Sequence, residues 1–489
     1  MHPLAALLEP LQRIVRDAPH EIRIRELPRG VALDGYQLQD AVASQVSTLR
    51  KMGVKSGDCV LLCCPNSAAF AIAVLACWKA GASCLLADGS STAAELKVLS
   101  NLFHPSAAIG EPPGSTTLSR VRSLVCWKPS TVTGRRPTLP PQTAVIKLTS
   151  GTLGDPRGVV VTAPQLMTGG RQIVETMGIR PHDVNIAAIP MCHSYGFDNL
   201  IMPLILQGSP IAVVPEVLPG NLGAALGMVE ACVFPGVPYL FDLLCRIVSP
   251  WKPTGLKLCL SAGAPLPSAV RRAFGERYGL RVRSFYGTTE TGGITFERAG
   301  DAIAPEGCVG KPLVGVSVKI EPAESVDVHP TKGRIVVESD AVAHGYFPAD
   351  LSTGTLTRGR FETGDIGRFD RDGQLHLVGR LGFVINVGGR KVNPIEVERI
   401  LRELPRVRDA VVVPVADPRR GQALAACIEA EPGLTPATVL EELGERLPRY
   451  KMPRILQVVK DLPRTGRGKP DRARIQKVLS LRGPDPSSR

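Results

Sequence analysis

Aromatic side chains are scarce, at 4% of the 489 residues, so the core must be packed with aliphatic groups. The twelve cysteines include no C-x-x-C pair, which argues against zinc-ribbon or redox-motif chemistry. Several of them sit inside apolar runs, such as Cys59, Cys63 and Cys64 in CVLLCC, Cys77 in VLACW and Cys259 in LKLCL. Free cysteine behaves there as a small hydrophobe, and reduced thiols are expected. Long apolar runs are also missing. The longest window, AAFAIAVLACW, is about half the roughly 20 residues a membrane helix needs. The first twenty residues lack the pattern of a signal peptide, so a cytoplasmic protein is expected.

Acidic residues are outnumbered by basic ones, leaving a formal net charge of +13. Such a balance suits nucleic acid, a membrane surface or small anions. No helix-turn-helix, zinc-finger or RRM pattern accompanies it, so nucleic acid is not the expected partner. A Walker A loop is absent as well. The stretch KLTSGTLGDPRGVVVT holds three glycines, a serine and two threonines within Thr149 to Gly158, but Gly154 is followed by Asp155, Pro156 and Arg157.

What is present is an alternation of strands and helices from about residue 40 to residue 290. GDCVLLCC, SCLLAD, VNIAAIP, PIAVVP, LKLCLSAG and VRSFYG read as strands. AAFAIAVLACWKAG, closed by Gly81, YGFDNLIMPLILQG and Val270 to Tyr278 read as helices. Continuous aliphatic strands separated by helices predict an α/β fold of βαβ units with a largely parallel sheet. Residues 303–378 read as a β-rich subdomain of short strands, with FDRDGQ as a hairpin turn. A compact α/β module restarts after Gly379 and Arg380. The expected division is therefore a large domain over 1–379 and a small C-terminal α/β domain over 380–489.

The loop beginning at Thr149 follows an apparent strand, and its backbone N–H groups and hydroxyls can form an anion cradle. Four further motifs follow in order. SFYGTTETGG carries Tyr286, Thr289 and Glu290, and FETGDIGRFD carries Asp365. GRLGFVINVGGRKVNPIEVE begins at Gly379, and LPRTGRGKPDR carries Lys469. These motifs, in this order and over roughly residues 30–480, resemble those of the adenylate-forming superfamily. That family includes acyl- and aryl-CoA synthetases, peptide-synthetase adenylation domains and beetle luciferases.

The resemblance implies ATP phosphate contacts from Thr149, Ser150, Gly151, Thr152, Gly154 and Arg157. Leu153 stands where the family often has a second threonine, and Arg157 where it has lysine. Tyr286 would stack on adenine, with Gly263 and Ala264 of SAGAP lining the adenine and acyl pockets. Asp365 and Arg380 would hold the ribose, Thr289 would donate to the α-phosphate, and Glu290 would hold Mg²⁺. Lys469 would be catalytic, stabilising charge that develops as a carboxylate attacks the α-phosphate.

The resemblance also implies a mobile C-terminal domain that swings about a hinge. Gly382 occupies the hinge position, usually aspartate or lysine. Phe383 and Asn386 stand where an acidic residue and a lysine are usual. Gly388 and Gly389 would line a tunnel for a pantetheine thiol.

MCHSYGF places His193 in a pattern similar to that of fatty-acyl and aryl ligases, bordering the acyl carboxylate. Asp198, five residues on, is the reserve contact for a substrate amine. A non-amino carboxylic acid is the expected substrate, and ATP, Mg²⁺ and coenzyme A the expected cofactors. A carrier protein bearing phosphopantetheine remains an alternative acceptor, and a non-catalytic nucleotide-binding relative an alternative identity.

Overall fold

The computed structural model describes residues 2–28, 30–110, 125–129, 138–149, 157–230, 232–247, 255–298, 305, 307–322, 332–348, 355–381, 385–387, 390–417, 421–447, 449–465 and 468–481. Its strands form three sheets, of fourteen, seven and five strands. The chain is α/β, and none of its described helices is long and apolar enough to cross a membrane.

The fourteen-stranded sheet has a parallel half and an antiparallel half. Ile22–Glu26, Ile211–Val213, Val184–Ala187, Cys232–Gly236, Leu256–Ser261 and Val282–Thr288 run parallel in that spatial order. Val282–Thr288 then turns back on Gly292–Phe296, and the sheet continues antiparallel through Cys308–Pro312, Leu375–Arg380, Arg360–Phe369, Gly333–Glu338 and Ser317–Glu321. The β-rich stretch expected over 303–378 is thus not a separate sheet. The strand Gly292–Phe296 joins it to the parallel half, pairing on one side with Val282–Thr288 and on the other with Cys308–Pro312.

The seven-stranded sheet has Ser83–Asp88 at its centre, and beside it Cys59–Cys64, whose six residues are all buried. Both of its faces are covered, so no polar alternation is needed. The helix Ala68–Ala80 packs against Cys59–Cys64, Ser83–Asp88 and Ile22–Glu26, and therefore lies between the two large sheets. Ten of its thirteen residues are buried, as a helix apolar on all sides requires. Trp78 donates from Nε1 to the Ala144 carbonyl at 3.0 Å, and Glu26 Oε1 accepts from the Ala68 N–H at 2.8 Å at the helix start. Gly81 ends the helix with φ +80°, a conformation that favours glycine.

Residues 385–459 supply the five-stranded sheet, with Gly421–Ala430 between Val407–Asp417 and the parallel Ile455–Val459. The helices Pro394–Arg402, Pro436–Gly444 and Arg472–Ser480 accompany it. None of the twelve cysteines is in a disulfide, and Cys59, Cys63, Cys64, Cys77 and Cys259 are buried as their apolar contexts implied.

Candidate active site

The phosphate-loop candidate is the connection of an antiparallel hairpin. Thr143–Thr149 pairs with Arg157–Thr162, with Thr149 opposite Arg157. The strand-to-helix arrangement of a Walker loop is therefore absent here. Ser150, Gly151, Thr152 and Gly154 lie outside the described residues, as do Gly382, Phe383, Gly388 and Gly389. The side chains of Thr149 and Arg157 frame the loop's two ends.

Glu290 lies near that hairpin through a residue the sequence reading did not single out. Tyr346, on the strand Gly345–Phe347, pairs with Val159 of the hairpin's second strand. Its hydroxyl donates to Glu290 Oε1 at 3.0 Å, and the Arg157 guanidinium carbon lies 6.0 Å from its ring centroid. Burial, and then the adjacent Glu290 carboxylate, push the Tyr346 phenol up, so it stays a donor at neutral pH. No local pattern marks Tyr346, because its role depends on a carboxylate 56 residues away.

The glycine of YGTTE has a steric cause. A Cβ at Gly287 would lie 2.2 Å from the Gly292 carbonyl oxygen, so the hairpin that presents Thr289 and Glu290 needs glycine there. Tyr286, just before it, is buried and donates from its hydroxyl to Asp365 Oδ2 at 2.7 Å. Arg380 sits opposite Asp365 in the sheet, with Nε 3.5 Å from Oδ1. Three of the five residues expected at adenine and ribose are thus brought together. Burial raises the Asp365 carboxyl above the usual carboxylate range, against the pull of Arg380 and the Tyr286 hydroxyl.

His193 caps the short helix Ser194–Gly196. A Cβ at Gly196 would sit 2.1 Å from the Pro190 carbonyl oxygen, which explains the glycine that closes P-M-C-H-S-Y-G. Asn66 ties the same turn to the seven-stranded sheet, donating to the Ala187 carbonyl at 2.7 Å and accepting from Met191 N–H at 3.2 Å. The Tyr195 hydroxyl donates to the Leu260 carbonyl at 3.1 Å, near the SAGAP segment. His193 Nε2 lies 3.0 Å from Asp88 Oδ2. That bond, with donors from Ser90, holds the Asp88 carboxyl well below the usual range despite partial burial.

Asp198 is not available to a substrate amine. It follows His193 on a π-helical turn, Phe197–Ile201, inside the segment expected to be regular α-helix. Its Oδ1 is 2.6 Å from the Lys147 ammonium, and its Oδ2 accepts from Ser194 Oγ at 3.1 Å. Both side chains are almost fully buried, so each charge neutralises the other. Lys147 lies two residues before Thr149. The pair therefore joins the base of the phosphate hairpin to the His193 segment. A cavity of about 10 Å³ beside it is lined by Lys147, Asp198 and Thr289.

Lys469 comes from the far end of the chain. A Cβ built on Gly263, whose φ is +82°, would lie 3.2 Å from Lys469 Cε and 3.7 Å from Nζ. Ala264, the next residue, is half-buried. The turn bearing Lys469 is closed by Thr465 N–H donating to the Lys469 carbonyl at 2.8 Å. Arg464 stacks over Tyr239 at 5.2 Å while contacting Asp409 and Glu429.

Residues 12–347 match the AMP-binding enzyme family, and residues 396–469 match the AMP-binding enzyme C-terminal domain. A 2-succinylbenzoate–CoA ligase of Bacillus cereus is 31% identical over 335 residues, covering 68% of this chain and 69% of that protein. A feruloyl-CoA synthase of Amycolatopsis sp is 28% identical over 474 residues, 94% of this chain and 96% of the relative. Among solved structures, ATP-bound MatB from Rhodopseudomonas palustris superposes with a TM-score of 0.81 at 24% identity, covering 98% and 99% of the two chains. That likeness is one of fold.

Proposed function

The chain belongs to the AMP-binding enzyme family, as an adenylate-forming enzyme of the acyl-CoA ligase type, and from that premise we propose a non-amino carboxylic acid, aryl or fatty, as its substrate and the thiol of coenzyme A as the final acceptor. The acid's carboxylate attacks the α-phosphorus of ATP, and the bond to pyrophosphate breaks. The thiol then attacks the acyl carbon, and AMP leaves. The observation that carries the reading is the approach of Lys469 to Gly263, which sets an ammonium at the adenine and acyl segment.

In this reading each side chain has a bounded task. The Lys469 ammonium offsets the negative charge that accumulates as two anions combine. Thr289 donates to the α-phosphate, while Thr149, Arg157 and the loop between them grip the outer phosphates. Asp365 and Arg380 orient the ribose, with Tyr286 against the base. Glu290 suits Mg²⁺, because a carboxylate is a hard oxygen donor and the Tyr346 hydroxyl fixes one of its oxygens. The ion would neutralise phosphate charge there.

The acid is taken to carry no α-amine, because the carboxylate expected as a reserve amine contact, Asp198, is already paired with Lys147. The names of the relatives, a succinylbenzoate ligase and a feruloyl-CoA synthase, support aryl acids as the first class to test. A swinging small domain over 380–489, hinged at Gly382 and leading the thiol past Gly388 and Gly389, belongs to the same proposal. So does a cytoplasmic setting, which twelve cysteines outside any disulfide favour.

The test is pyrophosphate release across aryl, fatty and amino acids, with coenzyme A or a pantetheinylated carrier protein as acceptor. Release with aryl or fatty acids and a CoA thioester as product is expected. Release confined to amino acids, or a thioester formed only on the carrier, would refute the substrate or the acceptor respectively.

A further inference from the structure

The turn that bears His193 gathers a set of donors that the ligase reaction does not use together. A carboxylate oxygen of Asp88, the sulfur of Cys192 and a ring nitrogen of His193 all lie within 4.8 Å of one another. The three arrive from two sheets. Asp88 ends the strand Ser83–Asp88 of the seven-stranded sheet. Cys192 and His193 lie in the turn beyond Val184–Ala187 of the fourteen-stranded sheet.

We propose that Asp88, Cys192 and His193 form a site for a borderline-soft divalent metal, zinc in the first instance, whose occupation withdraws His193 from the acid pocket and inhibits the enzyme. Thiolate, imidazole and carboxylate are the donor types that hold zinc with one position left open. In a tetrahedral shell such donors stand roughly 3.3–3.7 Å apart, given metal–ligand distances of about 2.0–2.3 Å. The His193–Asp88 edge, at 3.0 Å, has to open by about 0.3 Å or more, and the remaining edges have to close by about 1.5 Å at most. Ser90 donates to the other Asp88 oxygen from its backbone N–H at 2.9 Å and its hydroxyl at 2.6 Å. That outer contact orients the carboxylate as metal-ligand carboxylates are oriented elsewhere.

A cavity of about 280 Å³ adjoins the cluster, with Asp88 and Cys192 in its wall. It supplies room for a water or a thiol in the fourth position. Binding displaces the thiol proton to solvent and leaves the imidazole neutral, and no electron is transferred. Hard magnesium, which prefers an all-oxygen shell, is not accommodated by sulfur and nitrogen donors. The catalytic magnesium and the inhibitory zinc are therefore separated by donor type. The inhibitory part of the proposal rests on the placing of His193 beside the acid.

The test uses full-length protein stripped with a chelator and titrated with Co²⁺. A thiolate-to-cobalt absorption band in the near ultraviolet should saturate at one metal per chain and be displaced by Zn²⁺. Cys192→Ser should abolish the band, and Asp88→Asn should weaken cobalt binding about tenfold, with thermal melts checking that both variants remain folded. Zn²⁺ should slow pyrophosphate release by the unaltered enzyme and have at least tenfold less effect, relative to its own metal-free rate, on Cys192→Ser. A missing band, or an unchanged band in Cys192→Ser, would overturn the metal site and leave the proposed function standing. Cobalt binding without inhibition by zinc would overturn the inhibitory role, and with it the placing of His193 at the acid.

Discussion

Arg246, at the end of the helix Pro238–Arg246, donates from Nη2 to Glu429 Oε1 on the strand Gly421–Ala430, 183 residues away. Its Nη1 reaches Asp461 at 3.0 Å, and Asp242 one turn earlier on its own helix completes the cluster at 2.5 Å. This group, together with Arg464 over Tyr239, holds the five-stranded module where Lys469 meets Gly263. A hydrogen bond to a charged group contributes about 1.5–3 kcal/mol, and each 1.4 kcal/mol is tenfold in an equilibrium. Arg246→Ala should therefore lower acid-dependent pyrophosphate exchange about tenfold. Thioester formation from supplied acyl adenylate should be spared. Equal loss in both half-reactions would show that the contact does not select an orientation.

Lys469→Ala should reduce adenylation by about 10²–10³-fold, the range seen when one transition-state donor is removed. The fall should lie in kcat, with little change in the KM for ATP, because the ammonium acts on charge that develops during transfer. Adenylation at the unaltered rate would remove Lys469 from the mechanism.

Tyr346→Phe deletes the hydroxyl that donates to Glu290 while keeping the ring beneath Arg157. The magnesium concentration needed for half-maximal rate should rise about tenfold, with the melting temperature nearly unchanged. A shift in stability alone, at an unaltered magnesium dependence, would make Tyr346 a packing residue.

Breaking the buried Lys147–Asp198 pair from one side leaves an uncompensated charge. Asp198→Asn should therefore destabilise the fold by about 3 kcal/mol or more. Lys147→Met combined with Asp198→Leu should recover most of that loss, since apolar replacement of a buried pair is often close to neutral. Denaturant unfolding of the single and double variants gives the comparison.

Asp365 offers a pH test. Its folded carboxyl is raised, so its contribution to stability is fully present below the unfolded value near 3.9 and is lost as pH rises through the folded value. Ionised Asp365 thus costs the ligand-free protein stability at neutral pH. Asp365→Asn should melt at the same or a higher temperature at pH 7, with the advantage fading toward pH 4, and should bind ATP more weakly. Thermal melts across that range, paired with ATP titration, check both signs.

Much of the architecture could be read along the chain, since it depends on local pattern. The all-apolar CVLLCC and the helix closed by Gly81, apolar but for Lys79, specify buried elements whatever surrounds them. The glycines of P-M-C-H-S-Y-G and YGTTE mark places where an added Cβ would come within 2.1 and 2.2 Å of a carbonyl oxygen, which no side chain tolerates. Five ordered motifs placed Tyr286, Asp365 and Arg380, which the fold assembles within hydrogen-bonding or ionic distance. The π-helical turn after His193 was not legible, because its residues carry an ordinary helical pattern.

The sequence by itself determined the order of elements and the family chemistry, because hydrophobic period, glycine and proline act over a few residues. Only the tertiary structure decided which polar groups meet. Asp88 with His193, Lys147 with Asp198, Glu290 with Tyr346 and Arg246 with Glu429 are separated by 105, 51, 56 and 183 residues. The effect of such a pair depends on burial and on separation in space, and both arise only once the sheets have packed.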